Sequence, residues 1–359
     1  MDLGRMNILS FGAGAIGTYV AGSLALAGHR VVFLEQPAVA AELRRRGLRL
    51  DLSLDRHRPQ AGVATVPAEA IACAASLEEA LGLGPFDVAI FAMKSFDTVP
   101  ALDQVRPCAD RMPPILCLQN GVDNEPAIAA VLDAGKVIAG SVTGSIGRRA
   151  AGDVILEKGR GMGVAAGHPL SERLVAVLNA AYLNARLYPH PADMKWSKLL
   201  ANLPGGTTAA IADMTIADVF SNPGLYAIEM RLAREAQAVM AAQGVHVVDL
   251  PGIPVRALAY AAHLPAIIAR PILKKFVGGG RGAKMPSYHI DLHAGRKQSE
   301  VEWLQGAVVR YGEKFGVPTP VNRVLTETLL AMVRGEIPIA EFSRQPDKLI
   351  ARVVQATRP

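Results

Sequence analysis

Residues 6–17 read Met6-Asn7-Ile8-Leu9-Ser10-Phe11-Gly12-Ala13-Gly14-Ala15-Ile16-Gly17. Six mostly apolar residues run into a GxGxxG. The run from Met6 to Phe11 suits a strand buried on both faces, because such strands need no alternation of polar and apolar residues. A helical segment from Thr18 to Ala27 follows and stops at Gly28, and Val31–Leu34 reads as a second buried strand ending at Glu35. A glycine triplet between a strand and a helix has a mechanical purpose. Gly12 permits the tight turn, Gly14 lets backbone approach a pyrophosphate, and Gly17 lets the helix pack closely. Together with Ala15 and Ile16 inside the motif, they bring a phosphate to the helix N-terminus, whose N–H groups have no partner inside the helix. The expectation is a dinucleotide-binding domain.

Glu35 stands 23 residues beyond Gly12, at the end of the second strand. A carboxylate there accepts from ribose hydroxyls and repels a 2′-phosphate, which leans the cofactor toward NADH over NADPH. Further strands are expected at Phe86–Met93, Pro114–Leu118 and Val137–Thr143. They end at Lys94, at Gln119-Asn120-Gly121 and at Thr143. Ligands of open parallel sheets sit beyond the carboxyl ends of the strands, so Lys94, Asn120 and Thr143 are expected at the nicotinamide end of the cofactor.

Composition narrows the class. The chain has 359 residues, half of them hydrophobic and 19% charged, enough for more than one domain with a substantial core. It is basic, with net charge +6, but no aromatic residues interleave with the basic ones as a base-stacking platform requires, so no nucleic-acid partner is expected. Solvated surface charge together with a pocket for a small anionic substrate accounts for the positive balance. Cys73, Cys108 and Cys117 form no CxxC pair and read as buried thiols of a reducing compartment. No metal-ligand pattern is read among the eight histidines, and no metal site is expected. The apolar stretch 6–28 is interrupted by five glycines and is read as strand, turn and helix rather than as a leader or membrane span. A cytoplasmic protein without membrane contact is expected.

Between residues 185 and 195 the texture changes to long Ala- and Leu-rich helical patterns. Domains are therefore expected at 1–190 and 191–359, an α/β Rossmann-type doubly wound parallel sheet followed by an all-helical domain. Met194–Asn202 opens the first helix and places Lys198 and Asn202 one turn apart on one face. An ammonium and a carboxamide so placed can both donate to an oxo acid; spacing alone equally allows a lysine snorkelling at a surface. Further helices are expected over Pro223–Gln243, from Ser299 toward Phe315, and over about Val321–Val333, with a glycine-rich basic loop or lid at Val277–Gly282.

These residues resemble the ketopantoate reductase family over almost the whole chain. The markers are GAGAIG at 12–17, Lys94 in AMKSFDT, Asn120 in LQNG, WSKLLAN at 196–202, SEVEWLQG at 299–306 and GVPTPVN at 316–322. The resemblance implies a Rossmann domain and a helical domain with the active site between them, and reduction of 2-dehydropantoate with NADPH. It implies that Lys198 is the catalytic lysine, that Asn202 binds substrate and that Glu300 accepts from the substrate hydroxyl. The sequence departs from the family in three places. Glu35-Gln36 stands where an arginine for the 2′-phosphate is usual. Gly206 falls where a second asparagine is usual, and a substrate-contacting serine is displaced to the neighbourhood of Ser287-Tyr288. The helical domain suggests a homodimer. Rival readings are another hydroxyacid or opine-type dehydrogenase of the same plan, and a non-catalytic nicotinamide sensor with no use for Lys198 or Glu300.

Overall fold

The computed structural model describes residues 4–273 and 285–357, apart from the Ile272 side chain. The expected loop or lid at Val277–Gly282 lies outside the described residues. By its internal contacts the chain divides into two units. The first runs to Lys195 and includes Leu250–Ile253; the second comprises Trp196–Asp249 and resumes at Pro254.

Twelve strands occupy the described part of the first unit: β1 Asn7–Phe11, β2 Arg30–Leu34, β3 Leu48–Asp51, β4 Val63–Val66, β5 Ala72–Ala74, β6 Val88–Phe91, β7 Ile115–Cys117, β8 Val137–Val142, β9 Ser145–Ala150, β10 Asp153–Lys158, β11 Met162–Ala165 and β12 Ala185–Tyr188. Eight form one sheet in the order β12-β11-β8-β7-β6-β1-β2-β5. From β5 to β8 every pair is parallel, whereas β11 runs antiparallel to β8 and carries β12 on its far side. The sheet is thus a Rossmann-type parallel core with a mixed edge. The chain order reverses at β1, whose neighbours are β2 on one side and β6 on the other, and Phe11 pairs with both Leu34 and Phe91. A reversal of this kind opens the crevice that binds ligands in doubly wound sheets.

Apolar runs without alternation arise because both faces are covered. Ile8, Val31, Phe33, Val88 and Ile90 enter one core, while Leu9, Phe11, Val32, Ala89 and Phe91 enter the other. Successive side chains of a strand point to opposite faces, so neither face can be polar.

The remaining strands form a small sheet, β4-β3-β10-β9, which the sequence analysis does not anticipate. β9 reads SIGRRA and is largely exposed, so it lacks the apolar signal of a buried strand. The helix Ala15–Leu26 contacts strands of both sheets. Packing on both sides explains why Gly17 to Leu24 are buried without interruption and why the segment is apolar all round. At Gly22 an added Cβ would meet both Leu50 methyls at 3.1 Å, which shows how closely the helix approaches the small sheet.

The second unit is helical. Pro191–Asn202 leads into it, followed by Gly206–Ala212, Ile216–Ser221, Pro223–Ala242, Val255–Ala261, Ala266–Leu273, Ser287–His293, Gln305–Phe315, Pro320–Arg334 and Pro346–Ala356. Local signals set several ends. Asn222 accepts from Gly224 and Leu225 N–H ahead of Pro223, Thr215 and Asp218 form a capping box, and Gly316 and Gly335 end helices in the left-handed region. The expected helix from Ser299 toward Phe315 is divided. Glu300–Trp303 forms a 3-10 turn, and Leu304, at φ −109° and ψ −84°, breaks it from the α-helix that starts at Gln305. Among the described residues no helix is long and apolar enough to cross a membrane.

Candidate active site

In the first unit the chain leaves β1 at Gly12, where φ is +94° and the N–H is held by the Leu34 carbonyl at 3.0 Å. Only glycine adopts that backbone without strain. The next positions show why the triplet has its spacing. A Cβ on Gly17 would lie 2.2 Å from the Gly12 carbonyl oxygen, so the helix can approach the turn only if residue 17 has no side chain. A Cβ on Gly14 would meet nothing within 4 Å, so this position borders open space. Gly14 is also the N-cap of the helix, and no side chain caps it. Uncapped N–H groups at Ala15, Ile16 and Gly17, beside a glycine facing open space, make a fit for an anionic group such as a pyrophosphate.

Glu35 is tied to the same turn. Its Oε1 accepts from Ala13 N–H at 2.5 Å and its Oε2 from Gln36 N–H at 3.1 Å. The carboxylate therefore sits half-buried at the mouth of the glycine loop, brought there by the pairing of β1 with β2. Of the nearby arginines, Arg44 donates to the Cys73 carbonyl and pairs with Glu79 at 2.5 Å, while Arg46 pairs with Glu42 and bonds the Ala151 carbonyl.

Lys94 and Asn120 follow β6 and β7, and a hydrogen-bond network joins their loops. The Ser95 hydroxyl and the Asn124 amide donate to the Asn120 carbonyl at 2.8 and 2.7 Å. The Gln119 amide donates to the Thr98 hydroxyl at 2.7 Å and to the Lys94 carbonyl at 3.3 Å, and Thr98 donates to Asn124. The two half-buried side chains thus rise from one braced platform. Thr143 does not share it. It is almost fully buried, and its hydroxyl lies 2.9 Å from the Gly161 carbonyl and 2.7 Å from that of Pro251. Its side chain stitches the β8–β11 edge together.

Beneath the platform lies a group that sequence reasoning missed. The Lys195 ammonium is buried, pairs with Glu125 at 2.7 Å and donates to the Gln119 carbonyl at 2.7 Å and the Gly140 carbonyl at 3.3 Å. Burial alone would push the ammonium down, but the Glu125 carboxylate outweighs it and raises Lys195 above the ordinary lysine value. A lone lysine between Met194 and Trp196 gives no hint of a partner 70 residues earlier in the chain.

In the second unit Lys198 and Asn202 lie one turn apart, both half-buried, on the helix Pro191–Asn202. Glu300 opens the 3-10 turn and is buried. The helix after Asn202 begins at Gly205-Gly206, where Gly205 adopts φ +77° and donates its N–H to Glu229 Oε2 at 2.7 Å. Glu229 is fully buried, and burial pushes its carboxyl up to about 7, moderated by hydrogen bonds from Thr208 and Gly205. At Gly206 an added Cβ would lie 3.4 Å from the ring of Tyr288. The Tyr288 ring thus packs against the position of the missing side chain. The same helix ends at Asp213, near His289 and His293. Those two histidines form an HxxxH, which corrects the reading of the eight histidines as lacking that spacing.

The family model described as "Ketopantoate reductase PanE/ApbA" matches residues 8–166, and its C-terminal counterpart matches residues 192–333. A 2-dehydropantoate 2-reductase of Archaeoglobus fulgidus is 27% identical over 93% of this chain and 98% of its own length. Among solved structures, a PanE/ApbA family ketopantoate reductase from Ralstonia eutropha JMP134 shares the fold with TM-score 0.74 and 24% identity, over 92% of this chain and 99% of that one. D-mandelate dehydrogenase, solved with NADH and anilino(oxo)acetate, shares it with TM-score 0.72 and 20% identity over the same fractions. With both halves matched, the chain belongs to the ketopantoate reductase PanE/ApbA family and is an NAD(P)-dependent oxidoreductase.

Proposed function

We propose that the protein reduces a small 2-oxo acid to the 2-hydroxy acid, with 2-dehydropantoate as the first candidate substrate and NADH as the preferred cofactor. The observation that carries the cofactor reading is the glycine turn itself, an uncapped helix N-terminus beside open space with Glu35 bound to the same loop. Glu35 meets the ribose hydroxyls. Arg44 and Arg46 are engaged with Glu79, Glu42 and backbone carbonyls, so neither guanidinium is held ready for a 2′-phosphate. Lys94 and Asn120 position the nicotinamide half from their braced loops.

The bound nicotinamide supplies a hydride to the carbonyl carbon. Negative charge then develops on the carbonyl oxygen, and the Lys198 ammonium stabilises it and delivers the proton. Asn202 donates to the carbonyl or carboxylate, and Glu300 accepts from the substrate hydroxyl. Support for these roles comes from membership of the family and from the residues that match its motifs.

A second reading concerns the substrate. Gly206 removes a polar side chain that the family usually places there, and the Tyr288 ring bounds that space. Loss of that hydrogen-bonding side chain beside an aromatic ring shifts the preference toward a less polar, aromatic 2-oxo acid. The test is the loss of reduced-nicotinamide absorbance on mixing the protein with 2-dehydropantoate or a phenyl-bearing 2-oxo acid, each with NADH and with NADPH. Faster oxidation of NADH with 2-dehydropantoate is the expected result. Preference for the aromatic acid selects the second reading, and turnover of neither removes both.

A further inference from the structure

We propose that Asp213, His289 and His293 form a binding site for one divalent zinc-type ion. The two histidines stand one helical turn apart on Ser287–His293, with ring centroids 4.0 Å apart. Residues at this spacing share a helical face, which is how a single helix presents two imidazoles to one ion. The third group comes from a different element. Asp213 ends the helix Gly206–Ala212 in the left-handed region, at φ +50° and ψ +51°, and its Oδ1 lies 2.8 Å from His289 Nε2. One ligand atom from each of the three side chains lies within 4.8 Å of the other two. Around a central ion at zinc–ligand distances of about 2.0–2.2 Å the three atoms draw closer together.

The surroundings suit a cation. The Ser343 hydroxyl donates to Asp213 Oδ2 at 2.9 Å, which fixes the carboxylate and leaves Oδ1 toward the imidazoles. An outer partner of this kind commonly orients a metal-binding carboxylate. Asp213 and His289 are half-buried while His293 is exposed, leaving an approach from solvent and room for water to complete the coordination shell.

The donor set chooses the ion. Two imidazoles and one carboxylate select zinc and its neighbours over magnesium or calcium, which prefer all-oxygen shells. The bound ion would tie Ser287–His293 to the end of Gly206–Ala212, the helix pair that also brings Tyr288 against Gly206.

The test uses the full chain, freed of any affinity tag and stripped with a chelator, titrated with zinc against a chromophoric competitor. One ion per chain is expected. His293→Gln, an exposed change, should weaken binding by more than about 100-fold, because even outer partners are worth roughly 10–100-fold. Ser343→Ala should weaken it by about 10-fold. Zinc should raise the thermal midpoint of the unaltered protein and leave that of His293→Gln in place. Absence of stoichiometric binding, or equal affinity in the unaltered protein and His293→Gln, overturns the proposal. So does tighter binding of magnesium than of zinc.

Discussion

The Lys195 ammonium lies 2.7 Å from the Glu125 carboxylate and 2.7 Å from the Gln119 carbonyl, one residue before Asn120. A buried charge is tolerated only when it is paired and hydrogen-bonded, and here one ammonium meets a carboxylate and two carbonyls. Removing one partner strands the other. Lys195→Met should therefore destabilise the protein by about 3–5 kcal/mol, while Lys195→Met with Glu125→Leu should recover a large part of that loss. Denaturant unfolding of both variants checks this. Equal losses in the single and double variants would show that the two charges do not depend on each other.

The glycine turn separates a structural requirement from a ligand requirement. Gly17→Ala drives a Cβ into the Gly12 carbonyl oxygen and should damage both folding and cofactor binding. Gly14→Ala meets no protein atom within 4 Å, so its thermal midpoint should stay near that of the unaltered chain. Its affinity for NADH should still fall at least about tenfold, because the methyl group takes the space where backbone meets pyrophosphate. Fluorescence titration with NADH decides it, and a Gly14→Ala protein that binds normally places the phosphates elsewhere.

Much of the large sheet is readable from sequence. β1, β2, β6, β7 and β8 are apolar runs because both sheet faces are covered, and their carboxyl ends can be named from sequence. The small sheet is not readable in this way, since β9 and much of β4 are exposed and carry no buried pattern. Thr143 shows a further limit. Its place at the end of β8 follows from sequence, but the carbonyls of Gly161 and Pro251 that engage its hydroxyl come from segments that only the fold brings near. Lys195 and Glu125 escape notice for the same reason. Lys198 and Asn202 are legible because helical spacing is local, whereas long-range pairing leaves no periodic trace.

Lys198 offers a kinetic prediction. Lys198→Ala should lower kcat by about 10²–10⁴-fold if its ammonium delivers the proton, with little change in NADH affinity. Lys198 is half-buried, so folding should survive, and circular dichroism with NADH titration confirms that the variant is intact. Near-normal turnover in that variant removes Lys198 from the chemistry. Loss of NADH binding in parallel would recast it as a cofactor ligand.

Glu229 predicts how stability responds to pH. Its carboxyl is fully buried and pushed up to about 7, against 4.5 for an ordinary glutamate. Below pH 4.5 both the folded and unfolded chains hold the proton, and burial of the neutral acid carries no ionic penalty. Between 4.5 and 7 the folded chain retains a proton that the unfolded chain has released, so stability falls as pH rises. Above about 7 the loss is complete, at roughly 3 kcal/mol from the size of the displacement. Glu229→Gln keeps an acceptor for Gly205 N–H, and it cannot ionise. Its stability should match the unaltered protein near pH ~4 and exceed it by roughly 3 kcal/mol at pH ~8. Unfolding midpoints measured across that range decide the matter, and two parallel curves would mean that Glu229 titrates like an exposed carboxylate.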